Sequence, residues 1–184
     1  MMSEPFREFS RRVRILMKRY LPPISVSGTY TSAQQDQMRA LRMLFHAEVE
    51  HLLEHLCNLL IGDLERELST LQAGSSVQRE WATKAVKNAR KSVIDNNGVK
   101  EKNIIQMFGE LGFAADAFNE VSPLFLDRMS DLGSQRGDVA HKSAIKATYS
   151  LNRTREEKFL NEIIKYLHDF DSLIARRRLR NVLT

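Results

Sequence analysis

A chain of 184 residues is long enough for one sizeable core and too short for two, and its 42% hydrophobic and 28% charged residues, with 8 Gly and 4 Pro, exclude a disordered or β-rich protein. The lone Cys57 excludes an intramolecular disulfide and a cysteine zinc cluster; no stretch reaches the roughly 18 continuous apolar residues of a membrane helix, and Met-Met-Ser-Glu-Pro lacks a signal-peptide layout, so the expected setting is cytoplasmic. The formal charge of +5 gathers at both ends, in Arg7, Arg11, Arg12, Arg14, Lys18 and Arg19 and again in Arg176, Arg177, Arg178 and Arg180, which suits a polyanionic partner and solvated helix faces equally.

The first predicted helix covers 5–20, where Phe6, Phe9, Val13, Leu16 and Tyr20 recur at helical spacing and basic residues fill the other face. Leu21-Pro22-Pro23 ends it, and an extended connection leads to Thr31 or Ser32 as the cap of a long second helix. Met38, Leu41, Phe45, Val49, Leu52, Leu56 and Leu59 form that helix's apolar stripe, Gly62 is a point of kinking, and Ala73-Gly74-Ser75-Ser76 stops it. A third helix over 77–94 carries Trp81, Val86 and Val93, and Asp95-Asn96-Asn97-Gly98 turns the chain. A short helix with Ile104, Ile105, Phe108 and Leu111 follows. Ser122 and Pro123 then open a helix packed through Leu124, Phe125, Met129 and Leu132. Thr154 and Glu157 read as a capping box for a last helix whose Phe159, Ile163, Tyr166 or Leu167, Phe170 and Ile174 face inward. The fold class expected is all-α, an antiparallel helical bundle, divided into a basic helix and linker (1–30), the helical domain (31–175) and a basic tail (176–184).

The segment Asp131-Leu132-Gly133-Ser134-Gln135-Arg136-Gly137-Asp138-Val139-Ala140-His141 resembles the Arg-x4-6-His signature of HEPN domains. Phe45-His46-Ala47-Glu48-Val49-Glu50-His51-Leu52-Leu53-Glu54 is similar to the acidic, apolar second-helix segment of the RiboL-PSP-HEPN subgroup. Helix order and the late motif agree from Ser32 to Ile174, with the first helix outside the resemblance. The resemblance implies a metal-independent ribonuclease, without cofactor and usually homodimeric, in which motif helices of two protomers build one cleft. It also implies a toxin–antitoxin or phage-defence setting with an antitoxin or defence-protein partner. A non-catalytic HEPN module that binds RNA or protein is the alternative.

The chemistry suits the side chains. Cleaving RNA by its own 2′-hydroxyl needs a base, an acid and a cation for charge on the phosphate. An imidazole can perform either proton transfer near neutral pH, so His141 is the candidate acid or base, and the Arg136 fork is the candidate to hold two phosphate oxygens. Gly137 stands where many relatives carry a polar residue, so Asp138 is the candidate substitute, and Glu48 or Glu50 is the candidate to orient the cations. Five residues of ideal helix turn about 140° and rise about 7.5 Å, so a break near Gly133 or Gly137, a long arginine reach or a second protomer must bring Arg136 and His141 together. Arg39 and His46 also satisfy the bare spacing, seven apart beside packing residues, and read as an accident. His51-Leu52-Leu53-Glu54-His55 fits the His-x-x-Glu-His arrangement of inverted zinc peptidases but lacks an evident third ligand; a solvent or dimer face is the reading preferred. Arg176, Arg177, Arg178 and Arg180 are the candidates to grip RNA phosphates.

Overall fold

Ser3 opens the first helix, its hydroxyl accepting from the Phe6 N–H at 3.2 Å, with Pro5 in the first turn where its missing N–H costs nothing. The computed structural model describes residues 2–70, 75–141 and 150–180, the side chains of Thr70, of 136–141 and of Leu179 and Arg180 excepted. In chain order the helices are α1 (Glu4–Tyr20), α2 (Ser32–Thr70), α3 (Ser76–Ile94), α4 (Glu101–Gly109), α5 (Ala115–Asn119), α6 (Phe125–His141) and α7 (Arg153–Arg180). There is no strand among the described residues, and the architecture is an all-α helical bundle.

Local chemistry sets most boundaries. Of the two cap candidates for α2 the structure selects Thr31, whose hydroxyl accepts from Gln34 N–H while the Gln34 carboxamide accepts from Thr31 N–H at 2.9 Å. Gly62, expected as a point of kinking, leaves α2 unbroken over 39 residues, about 58 Å. Ser75 and Gln78 form a second capping box at the start of α3. The expected Thr154/Glu157 box is corrected: the Asn152 side-chain oxygen accepts from Thr154 N–H and Arg155 N–H, both at 3.1 Å, and Glu157 is drawn to Arg153 one turn back. The short α5 had no periodic signal. Gly112, at φ 80°, supplies the left-handed turn between α4 and α5.

α2 is the axis of the molecule. Met38, Leu41, Phe45, Val49, Leu52, Leu53 and Leu56 on it are at most 2% exposed, and α1, α3, α4, α6 and α7 all pack against it. Phe170 of α7 anchors the other half of the core, with ring centroids 5.1 Å from Phe108, 5.7 Å from Phe118 and 5.5 Å from Phe125. Such pairs add about 0.5–1.5 kcal/mol each beyond their buried area. The N-terminal helix belongs to this same core: Phe6, Phe9, Val13 and Leu16 are buried within it, and the buried Asp171 of α7 accepts from Ser3 N–H at 2.9 Å, at the positive end of α1. α7 continues through Arg180, so residues 176–180 are helix and not tail; Ala175-Arg-Arg-Arg-Leu-Arg contains only strong helix formers. Among the described residues no helix is long and apolar enough to cross a membrane.

One ion pair is sealed inside. Arg42 donates through Nε and an Nη to the two oxygens of Glu156 at 2.5 and 2.6 Å, with 8% and 7% of the side chains exposed. It joins α2 to the first turn of α7 with a bidentate geometry that only arginine offers. Glu156→Gln is expected to lower unfolding free energy by about 3–5 kcal/mol in urea titrations, because a buried cation loses its counter-charge.

Cys57, fully buried on α2, donates its thiol to the Met107 carbonyl at 3.3 Å. Burial first, and the Glu54 carboxylate second, push its pKa up to about 12. The folded value lies above the unfolded one near 9, so the contribution to stability is intact below pH 9 and is lost as pH rises towards 12. A thiol-reactive disulfide reagent at pH 8 is therefore expected to leave the folded protein unlabelled and to label it stoichiometrically in denaturant.

Candidate functional site

The Ser122 hydroxyl accepts from Leu124 N–H at 3.2 Å and its carbonyl from Phe125 N–H at 3.1 Å, launching α6 where the sequence placed the start. Phe125, Met129 and Leu132 face the core. Gly133 serves close packing: a Cβ there would lie 2.6 Å from Lys100 Cγ, and Glu101 N–H donates to Ser130 one turn earlier. No break follows. The α6 backbone is helical through Gly137 to His141, so Arg136 continues the register of Leu132 while His141 is turned from it by about 140°. The side chains of Arg136, Asp138 and His141 lie outside the described residues.

α2, against which α6 packs, carries a polar row inside the bundle. Gln35, Arg42, His46 and Glu50 are spaced by seven, four and four, which puts them on one side of the helix. Gln35 closes a pair of bonds with the backbone just before α7, accepting from Leu151 N–H at 2.7 Å and donating to Leu151 carbonyl at 3.0 Å. Arg42 meets Glu156. His46 is only 2% exposed, with Nδ1 3.8 Å from the Glu50 carboxylate. Arg42 and His46 were not singled out as site residues, although their polar positions at four-residue spacing beside an apolar stripe were a usable signal. Arg39 is taken by Asp36 at 2.7 Å, so Arg39 and His46 form no joint site.

Glu48 stands on another side of α2. Two residues of helix turn about 200°, which separates it from Glu50 and His46. It faces α1 instead, where Arg12 donates to it through Nε at 3.2 Å and Nη2 at 3.1 Å. The histidines of the zinc-like pattern share that side: His51 and His55 are exposed, their rings 5.4 Å apart, beside a 220 Å³ cleft that also touches Pro5 and Glu8. Among the described residues no three His, Cys, Asp or Glu side chains gather as metal ligands would.

The C-terminal arginines divide. Arg177 lies over the Phe113 ring at 4.2 Å and donates to Gly112 carbonyl at 3.1 Å, and Arg178 grips Asp63 through two bonds of 2.5 and 3.2 Å. Arg176 is exposed, and the Arg180 side chain lies outside the described residues. Arg176, Arg177 and Arg178 border a 570 Å³ groove floored by Leu60, Leu64, Phe113 and Leu173 and edged by the exposed Trp81; none of its lining belongs to α6. No family model, curated protein or solved structure matches this chain.

Arg177 thus closes the α4–α5 turn against α7. Arg177→Ala is expected to cost about 1–2 kcal/mol in thermal or urea unfolding, from the lost stacking and carbonyl bond.

Proposed function

We propose that this protein is a metal-independent endoribonuclease of the HEPN type, acting as a homodimer in the cytoplasm, with Arg136 and His141 as its reacting pair. The observation that carries this reading is the row Arg42, His46 and Glu50, polar side chains set into the largely apolar interior on the helix against which the motif helix packs. Such polar groups are retained in an interior only against a desolvation cost, and they supply a charged flank for a neighbouring site. Arg136 and His141 stand about 140° apart in the register of one unbroken helix. The reading therefore calls for two copies: one His141 takes the 2′-hydroxyl proton, the other protonates the leaving 5′-oxygen, and Arg136 neutralises charge on the phosphorane. Asp138 is the group that holds His141 in position. The setting, by family analogy, is a toxin–antitoxin or phage-defence system with a neutralising protein partner.

Purified protein incubated with total RNA in chelator is expected to cleave it, and His141→Ala and Arg136→Ala, folded by circular dichroism, to be slower by about 10²–10⁴. Light scattering should give the mass of two chains. Absence of cleavage by a dimeric, RNA-binding wild type would reduce the protein to a non-catalytic RNA-binding module. Cleavage abolished by chelator would reopen the zinc reading of His51 and His55.

A further inference from the structure

We propose that the outward face of α1, formed by Arg7, Arg11, Arg14 and Lys18, is the surface on which this protein holds the phosphodiester backbone of RNA. The four residues are spaced by four, three and four, so they fall within about 60° of arc and extend about 16 Å along the helix. All four are exposed. α1 carries six Arg and Lys against Glu4 and Glu8, so most of the chain's formal charge of +5 resides on this one helix.

Pairing distinguishes this stripe from many of the other arginines. Arg12, Arg42, Arg66, Arg90, Arg128, Arg153 and Arg178 each meet a carboxylate of the same chain. Among the described residues Arg7, Arg14 and Lys18 form no ion pair, and Arg11 reaches only Glu8, at 4.0 Å. Their charge is left for an external anion. It is also held in place, because the opposite face of α1 is locked into the core through Phe6, Phe9, Val13 and Leu16, and Asp171 fixes its first turn. A row of guanidinium forks on a fixed helix meets successive phosphates with little ordering cost.

The same packing argues against a lipid surface as the partner. A helix lying in a membrane interface buries an apolar face among acyl chains, and that face of α1 is already spent inside the protein, with Ile15 the one large apolar side chain exposed along it. A polyanion that needs only charge fits better. RNA as the identity of that polyanion rests on the reading of Arg136 and His141 above.

The test measures binding of a labelled oligouridine by fluorescence anisotropy over a salt series, in a His141→Ala background so that the probe survives. The variant combining Arg7→Gln, Arg11→Gln, Arg14→Gln and Lys18→Gln, whose replacements preserve helix propensity, is expected to bind at least about tenfold more weakly at low salt. Its slope of log K against log salt should fall by about 3, and those of Arg14→Gln and Lys18→Gln alone by about 0.7 each, the latter two keeping the test valid if the fourfold variant misfolds. Unchanged affinity and slope in the fourfold variant overturn the proposal, as does failure of the parent to bind oligouridine. So does a fourfold variant that loses phosphatidylserine vesicles while keeping RNA. The two readings separate cleanly: cleavage by a wild type whose fourfold variant binds RNA normally removes the stripe alone, whereas stripe-dependent binding without cleavage removes the nuclease alone.

Discussion

α2 is apolar over too wide an arc, and over too many turns, for any single neighbour to cover. Leu41, Phe45 and Leu52 point one way, while Leu53, Cys57 and Ile61 bring the buried surface round the helix. A helix of about 58 Å with such a surface must be enclosed along its length, and five others do so. The position of the remaining helices follows from that requirement: α1 covers the half near Glu48, α3 the half near Glu65, and α4, α6 and α7 close the rest.

Enclosure also explains why the polar groups on α2 sort by side. Glu48 lies towards a basic helix and is neutralised at a half-open surface by Arg12, an interaction worth under about 1 kcal/mol. Arg42 lies towards α7 and is sealed from water, so its partner Glu156 must match it atom for atom. His46 and Glu50 continue that side. The same α2 therefore carries an ordinary surface pair on one side and, on the other, an interior polar row that meets α7 through Arg42, which makes the second the chemically unusual one.

The arrangement of α6 sharpens what the motif demands. Gly133 and Gly137, read from the sequence as points of distortion, leave the helix intact; Gly133 is there because Lys100 passes too close for a side chain. Arg136 therefore keeps the register of Leu132, with His141 about 140° further round the same helix.

All the helices but α5, most of their apolar faces and the Thr31 and Ser122 caps were legible in the sequence, because these depend on residues three and four apart and on side chains that bond within their own turn. Phe6 to Leu16, Met38 to Leu56 and the Ser122 start of α6 are of this kind. Partners distant in sequence were not legible. That Glu48 meets Arg12, that Arg177 and Arg178 are consumed by Phe113, Gly112 and Asp63, and that α1 is core and not appendage all depend on which helix faces lie together. Periodicity tells which side of a helix is apolar, and it is silent on which helix will cover it. The sequence by itself thus determined an all-α chain with an Arg136 to His141 segment and two basic ends. Only the tertiary structure decided which cations are neutralised and which remain free, since pairing charges across elements requires the elements to be packed first.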